Sequence, residues 1–298
     1  MKIKHYILMV LCGLCWGPSY MFIKIAVETI PPLTLVLLRV GISTIILYGI
    51  CRLQNMQISK YRQHWKHFVV LGITLNALPF CLISFAELYI SSSLGGILNG
   101  LTLIFTAIFA HYFGTHERLN RKKILGIFSG LIGLVLIYLP FLFDQVKTNE
   151  LGILLMVLAM VSYATGTVYA RAHLTKMPGL VALTSQLIVS TLCVLPLSLF
   201  IDHPFSLPFP PLQAWVGALG LALIGTVIGF YIFYKTIQVA GATLAAFATL
   251  LIPIVSMLLG VIILHEQLTW NLYVGTALII AGAWAVNQAI KKDKEQIA

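Results

Sequence analysis

The chain has 298 residues, of which 59% are hydrophobic and 9% are charged, whereas a soluble globular domain carries roughly 25% charged residues. This composition excludes a water-soluble protein and predicts a chain that lies in a lipid bilayer. The formal net charge is +10, and the positions of the basic residues decide whether this charge reflects nucleic-acid binding or membrane topology.

Apolar runs of about 20 residues, the length that crosses a bilayer core as a helix, follow one another along the chain. We predict ten spans, at residues 7–27, 33–51, 68–88, 94–113, 124–143, 152–172, 180–201, 215–234, 243–264 and 272–288. No stretch alternates apolar and polar residues as a membrane β-strand does. Because backbone polar groups in lipid are paired within their own helix, the predicted fold class is an all-α membrane protein.

Basic residues lie almost entirely on one side of the predicted bundle. If the N-terminus is cytoplasmic, all Lys and Arg residues fall in cytoplasmic segments except Lys147 in an outer loop and Lys24 and Arg39 within helices. This asymmetry follows the positive-inside rule and predicts that both termini are cytoplasmic. It also accounts for the net charge without a nucleic-acid partner.

The sequence contains no motif of catalysis, metal binding or cofactor binding. Cys12 and Cys15 have the spacing of a metal or redox pair, but they lie within an apolar run without a neighbouring His or acidic residue, so we expect packing residues. The dipeptides at His116 and His265, each followed by Glu, lack a third ligand at helical spacing. We therefore expect no enzyme, no cofactor and no metal site.

Two stretches half a chain apart share one pattern. "HERLNRKKILG" from His116 aligns without a gap with "HEQLTWNLYVG" from His265, and such a repeat indicates a duplicated unit. Nearer the N-terminus, a slightly shorter offset places Arg39 on Gln186. Because five spans per half is an odd number, the second half crosses the membrane in the opposite sense. The predicted units are residues 6–143, an inverted repeat at 150–290 and a basic cytoplasmic tail at 291–298.

Inverted repeats are the frame of secondary transporters, whose midplane site opens to either side in turn. The early Trp-Gly of "LCWGPSYMFIK", Arg39, the "PIVSMLLG" stretch from Pro253 and the two Glu-x-Leu blocks resemble the drug/metabolite transporter superfamily, specifically its ten-helix EamA-like branch. The resemblance covers residues 6 to 290. It implies a small-metabolite carrier of the bacterial inner membrane, with a cavity lined by the first four helices of each half and with the fifth and tenth helices outside it. Ile104 stands where the family usually has a proline. The resemblance therefore leaves open whether the fourth helix shares a kink with the ninth.

Charged and polar residues within the spans are the candidate site residues, because each is costly in lipid without a partner or water. Arg39 lies about 10 Å inside its helix at 1.5 Å per residue, where it either anchors a substrate carboxylate or phosphate, or ties helix-end carbonyls or an acidic residue. Its counterpart Gln186 suggests that the two halves bind different ends of a substrate. Lys24 is nearer the outer surface, where pairing with Glu28 one turn away is the favoured interpretation.

Site candidates, most of them polar, share one face on each of two neighbouring helices. These are Asn76, Phe80, Ser84 and Glu87 on the third helix and Asn99, Thr102 and Thr106 on the fourth. The two faces either line a cavity, which we favour, or bond to each other across a tight interface. Glu87 lies at the outer mouth, either as a solvated carboxylate or as a proton-coupling group. Lys24 and Glu87 are therefore the candidate coupling or gating residues.

Aromatic residues recur at matching depths in both halves, where they can stack on an apolar or cationic substrate. Trp16 lies too deep for the interfacial belt and is the leading pocket candidate. The complete predicted substrate-binding set is Trp16, Tyr20, Arg39, Asn76, Phe80, Asn99, Thr102, Tyr163, Gln186, Tyr231 and Tyr234.

Gly-x-x-x-Gly pairs at Gly13/Gly17, Gly96/Gly100, Gly126/Gly130 and Gly225/Gly229 predict close helix approach and do not require a dimer.

The sequence predicts a secondary transporter that moves a small amphipathic metabolite, an amino acid or a close derivative, by alternating access. Broad drug efflux stays open as an alternative. A membrane-embedded enzyme would need acidic or His residues clustered at one membrane face, and a passive channel would need a continuous polar stripe on several helices; the sequence has neither. The expected partners are a small-molecule substrate and the lipid bilayer, with no nucleic acid, and the protein is expected to be a monomer or a homodimer.

Overall fold

The computed structural model describes residues 3–113, 121–138, 148–174, 177–240, 245 and 248–297, and all regular structure within them is helical. The helical segments are α1 (Ile3–Val27), α2 (Pro32–Leu53), α3 (Ile58–Ala86), α4 (Ser92–Tyr112), α5 (Arg121–Tyr138), α6 (Glu150–His173), α7 (Gly179–Asp202), α8 (Leu212–Val239), α9 (Ala248–Ile262) and α10 (Trp270–Ile297). The expectations for His116, Glu117 and Lys147 lie outside the described residues.

Seven of these segments, α1 to α4 and α6 to α8, are long and apolar enough to cross a membrane. An all-helical membrane fold is therefore confirmed. The helices α5, α9 and α10 lie at the predicted fifth, ninth and tenth spans, and the full count of ten spans stays a prediction.

Prolines mark where several of these helices begin. Pro31 precedes α2, Pro178 precedes α7 and Pro211 precedes α8, positions at which the fixed φ of proline suits a helix start and its missing N–H costs nothing. The helix α4 begins instead with a capping residue, because the Ser91 hydroxyl accepts the backbone N–H of Leu94 at 3.3 Å. These helix boundaries thus follow from the local sequence.

The helices pack in a pattern that links the two halves of the chain. The helix pairs in contact include α1–α8, α3–α6, α1–α9, α4–α6, α2–α8, α3–α7, α2–α7, α4–α9 and α5–α10. The helices α5 and α10 pack chiefly on each other and reach the remaining helices mainly through α4. Buried apolar side chains form two core clusters, and the first of them also includes residues of α5 and α10, such as Ile137 and Ile279.

Glycines lie where helices approach most closely. A methyl group built on Gly13 or Gly17 of α1 would overlap a side chain of α9, and one built on Gly225 or Gly229 of α8 would overlap a side chain of α1. The four predicted pairs, Gly13/Gly17, Gly96/Gly100, Gly126/Gly130 and Gly225/Gly229, all lie at such contacts within the chain. The prediction of close helix approach is confirmed.

Four helices are interrupted near mid-length. The helix α1 breaks at Gly17 and Pro18, and α4 breaks at Asn99 and Gly100. The helix α4 is therefore interrupted without a proline, because two weak helix formers close a tight turn through i to i+3 bonds such as Gly100 N–H to the Ile97 carbonyl at 3.1 Å. The helices α3 and α8 each contain a π-helical segment, Ile73–Ala77 and Leu221–Ile228.

Candidate functional site

Arg39 of α2 is buried among groups from four other helices. Its Nε donates to the Thr226 hydroxyl of α8 at 3.0 Å, and its Cζ lies 3.7 Å from the centroid of the Phe80 ring of α3. Tyr20 of α1 and Tyr163 of α6 lie close enough to interact electrostatically with the guanidinium. We call Arg39, Thr226, Phe80, Tyr20 and Tyr163 the Arg39 cluster.

The Arg39 cluster leaves most donors of the guanidinium unused. Within the described residues no carboxylate pairs with Arg39, and the bond from Nε is its one hydrogen bond. Arg39 therefore makes neither of the two structural contacts considered from the sequence within the described residues: it bonds neither to helix-end carbonyls nor to an acidic residue. The four N–H groups on the two Nη atoms remain available for a planar anion such as a carboxylate or phosphate.

A second polar pair lies between α3 and α7. The amide nitrogen of Asn76 donates to the amide oxygen of Gln186 at 3.4 Å, and both side chains are buried. The structure thus brings together two residues that the sequence predicts as site residues on separate helices. This pair is neutral. Arg39, which aligns with Gln186 in the sequence repeat, forms a charged pair with Thr226.

Both polar pairs involve a π-helical segment. Asn76 lies in Ile73–Ala77 and Thr226 lies in Leu221–Ile228, and the Thr226 hydroxyl donates to the carbonyl five residues earlier, at Leu221, at 3.0 Å. A π-bulge inserts an extra residue into the turn and is frequent at functional sites. Thr226 is absent from the sequence-predicted set, although it lies one residue beyond the position that matches Asn76 in the second half.

The aromatic candidates occupy different environments. Trp16 lies at the break of α1 and packs against Phe230 and Phe233 of α8, with ring centroids 5.3 and 5.0 Å away. Phe80 and Tyr163 meet edge to face at 6.4 Å. Phe80 and Tyr163 are therefore in contact within the Arg39 cluster, whereas Trp16 packs against rings of α8.

The remaining four predicted site residues belong neither to the Arg39 cluster nor to the Asn76–Gln186 pair. Tyr231 is 40% exposed, and Tyr234 packs its ring over Gly179 at the start of α7. Thr102 donates to the sulfur of Met160 at 2.9 Å, and Asn99 is half-buried at the break of α4.

The favoured interpretation of Lys24, in which it pairs with Glu28, is wrong. Its Nζ donates to the carbonyls of Glu87 at 2.6 Å and Ile90 at 2.7 Å, while Glu28 is exposed. Lys24 thus caps the C-terminus of α3, where a cation interacts favourably with the last carbonyls. The interpretation of Glu87 as a solvated carboxylate is also wrong, because its side chain is 0% exposed.

Glu266, in the connection between α9 and α10, holds the start of α4. Its carboxylate accepts the backbone N–H groups of Ser92 at 2.7 Å and Ser93 at 3.0 Å, and also the Ser93 hydroxyl. We call Lys24, Glu87, Ser92, Ser93 and Glu266 the clasp. It lies at the end of the bundle predicted to face outward, and the sequence pattern indicated Glu266 only as a mark of the repeat.

The other end of the bundle contains a cavity. It has a volume of about 360 Å³ and is lined by the α2–α3 connection and the start of α7, including Met56, Lys60 and Pro178. Neither Arg39 nor Asn76 lines it. The described part of the bundle therefore has the clasp at one end and a recess at the other.

These helices and their buried polar pairs define a multi-pass membrane protein. A family model described as the EamA-like transporter family matches residues 3–139 and 150–288. The chain belongs to the EamA-like transporter family, which indicates a transporter and not an enzyme.

Relatives with this organisation occur in bacteria and archaea. The chain is 23% identical over 269 residues to the uncharacterized transporter YoaV of Bacillus subtilis strain 168, covering 90% of this chain and 91% of YoaV. It is 28% identical over 283 residues to an uncharacterized transporter of Archaeoglobus fulgidus, covering 95% and 98%. It is 24% identical over 246 residues to the uncharacterized inner membrane transporter YedA of Escherichia coli K12, covering 82% and 78%.

One solved crystal structure matches the fold with a TM-score of 0.69 at 18% identity, covering 96% of this chain and 98% of that chain. At this identity the match supports the fold alone.

Proposed function

We propose that the protein is a secondary transporter of the bacterial cytoplasmic membrane that moves a small amphipathic metabolite with an anionic end, such as an amino acid or a close derivative. Two inverted five-helix halves, ten spans in all with both termini in the cytoplasm, expose a shared site to either side in turn. The observation that carries the proposal is a buried Arg39 whose Nη donors are unengaged among the described residues.

The helix contacts support the inverted arrangement. If α1 to α5 are exchanged with α6 to α10, the contact α1–α8 becomes α6–α3, α1–α9 becomes α6–α4 and α2–α8 becomes α7–α3. All of these pairs are in contact. The remaining pairs α2–α7, α4–α9 and α5–α10 are each exchanged with themselves, which is expected of helices that lie across a twofold axis.

Contacts between matching residues support the same axis. The hydroxyls of Thr44 and Thr191, 147 residues apart, lie 3.1 Å from each other, and the Ser129 hydroxyl donates to the carbonyl of Leu278, 149 residues later, at 2.9 Å. These separations equal the offsets that align the two halves in sequence. Direct contact between equivalent residues is what a twofold relation between the halves predicts, and it favours units at 6–143 and 150–290.

The chemistry of the two polar pairs favours a substrate with two unlike ends. Arginine presents a rigid fork that matches a carboxylate or phosphate, whereas the Asn76–Gln186 pair offers neutral amide groups to an amine or hydroxyl. The rings of Phe80 and Tyr163 lie beside Arg39 and suit an apolar side chain. A permanent positive charge in this cluster disfavours cationic drugs, so a metabolite carrier is preferred over broad efflux of cations.

Exchange across liposomes tests the role of Arg39. Purified protein is reconstituted, and uptake of radiolabelled amino acids is compared with uptake of the matching amino amides, which lack the carboxylate. Hydrogen bonds to charged groups contribute about 1.5–3 kcal/mol, so Arg39→Lys should weaken the affinity for amino acids about 10- to 150-fold and the affinity for amides much less. Arg52→Lys, at an exposed position of the same helix, should transport as the wild type does. Equal losses for acids and amides would discard the anchoring role.

A further inference from the structure

Glu87 carries a fully buried carboxyl group that is left without hydrogen bonds. Its side chain is 0% exposed, and neither Oε1 nor Oε2 has a hydrogen-bond partner among the described residues. Oε1 lies against the start of α4, where a methyl group built on Gly95 would overlap both this oxygen and the Tyr20 ring. An ionised carboxylate in such a place is strongly disfavoured, because it has lost water and gained no donor.

The groups that face Glu87 carry one positive and one negative charge. Lys24 approaches from α1 and Glu266 approaches from the α9–α10 connection, and Tyr20 of α1 is the third titratable neighbour. With Glu87 ionised, these groups would comprise two carboxylates and one ammonium, with the Glu87 carboxylate fully buried. With Glu87 protonated, the charges of Lys24 and Glu266 cancel, which is the arrangement that burial favours.

Hydrogen bonding shows which of the two carboxyl groups takes the proton. Glu266 accepts two backbone N–H groups and the Ser93 hydroxyl, and such bonds stabilise an ionised carboxylate. Lys24 donates to two carbonyls at the end of α3, which stabilises the ammonium. Glu87 alone has neither kind of support and is therefore the group that is neutral when the clasp is closed.

We propose that Glu87 is the proton-binding site through which this transporter is coupled to a pH gradient. While the clasp is open, the Glu87 carboxylate binds a proton from the water on the outer side, and the clasp then closes over the neutral carboxyl group. When the bundle opens to the cytoplasm, water from that side takes the proton, so that one proton crosses the membrane in each cycle. Tyr20 lies beside Glu87 at Gly95 and is also a neighbour of Arg39, so the proton site and the Arg39 cluster share this residue. This inference rests on the proposed transport function.

Infrared difference spectroscopy tests the protonation without a substrate. We expect the wild-type protein in lipid nanodiscs to show the carbonyl stretch of a protonated carboxylic acid at neutral pH. The band should be missing in Glu87→Gln, shifted in Glu87→Asp and unchanged in Glu28→Gln, which alters an exposed carboxylate. The shift in Glu87→Asp identifies the group even if Glu87→Gln were poorly folded. A wild-type spectrum without such a band, or a band that survives in a folded Glu87→Gln protein, would overturn the proposal.

A transport measurement then tests the coupling. In proteoliposomes supplied with a mixture of radiolabelled amino acids, a gradient of one pH unit should drive up to about tenfold accumulation in the wild type, because one pH unit corresponds to about 1.4 kcal/mol per proton. Glu87→Gln should show no accumulation above the equilibrium level, and Glu28→Gln should accumulate as the wild type does. Accumulation that persists in Glu87→Gln, or that follows a sodium gradient instead, would overturn the coupling.

The two proposals fail in different ways. A wild-type protein that exchanges amino acids but lacks the infrared band refutes the proton site and leaves the transport function intact. A protein that exchanges none of these compounds refutes the proposed substrate class, and the infrared result still decides whether Glu87 binds a proton.

Discussion

The contact between Glu266 and the start of α4 holds the clasp together, and we expect its removal to shift the protein toward the state that is open at this end. The change is Glu266→Gln, which keeps the size of the side chain and removes the negative charge. Because the bonds to Ser92 and Ser93 join the α9–α10 connection to α4, they exist only while these parts are together. Weakening them therefore raises the free energy of the closed state alone.

The expected magnitude follows from the number of donors. The Glu266 carboxylate accepts three hydrogen bonds, two from backbone N–H groups and one from a hydroxyl. A glutamine has one acceptor oxygen and no charge, so at least one donor loses its partner. Since hydrogen bonds to charged groups contribute about 1.5–3 kcal/mol, we take a loss of about 2–3 kcal/mol, which raises the ratio of open to closed protein about 30- to 150-fold.

Labelling of a buried cysteine measures this ratio. Ser256 of α9 is 0% exposed and lies against Gly96 of α4, so Ser256→Cys, in a protein without the five native cysteines, should react only when α4 and α9 separate. A membrane-impermeant thiol reagent is added to intact cells and, in parallel, to inverted vesicles. We expect Glu266→Gln to accelerate labelling from the outer side, and Glu28→Gln to leave the rate unchanged. An unchanged rate in Glu266→Gln would refute the role of this contact in closure.

Two further predictions concern helix packing and the site. Gly282→Ala should destabilise the protein by about 1–3 kcal/mol, because the added methyl group would overlap the carbonyl of Gly126. Gly49→Ala, with no atom within 4 Å, should stabilise the protein by about 0.5–1 kcal/mol. Equal melting temperatures of the two variants would contradict the packing of Gly282 on Gly126. Thr226→Val removes the hydroxyl that accepts the Arg39 Nε and should weaken amino-acid exchange in liposomes, whereas Thr226→Ser should not. Equal losses in both variants would contradict this orienting role.

The positions of the helices could be predicted from the sequence, because they depend on residues that are close together in the chain. Apolar runs located the helices, because this feature acts within a single segment. The gap-free alignment that begins at His116 and His265 pairs Gly126 with Gly275 and Gly133 with Gly282. In the structure these pairs are crossed, because Gly126 faces Gly282 and Gly133 faces Gly275. A repeat in sequence shows which residues are equivalent, but it does not show how the two helices run. Because α5 and α10 pack antiparallel, each of these glycines of α5 contacts the equivalent of the other glycine and not its own equivalent.

Partners far away in sequence could not be predicted in this way. For Lys24, spacing along the helix offered Glu28 as the nearest anion, whereas its hydrogen-bond partners are carbonyls 63 and 66 residues away. For Glu87, a position near the end of a span indicated exposure to water, whereas the start of α4 covers it completely. In both cases the deciding interaction comes from a backbone segment whose position depends on how the helices pack.

The two polar pairs explain how a nearly symmetric frame can treat the two ends of a substrate differently. Arg39 with Thr226 and Gln186 with Asn76 join matching helices in the two halves, and each pair depends on a π-helical segment at a matching depth. If the two halves are inverted repeats, as we propose, two conformations of similar energy are possible, since each half can adopt the arrangement of the other. The charge of Arg39, present in only one of the two pairs, would make the site directional for its ligand. Substrate orientation would then be fixed by one residue, Arg39, while the movement belongs to the repeated frame.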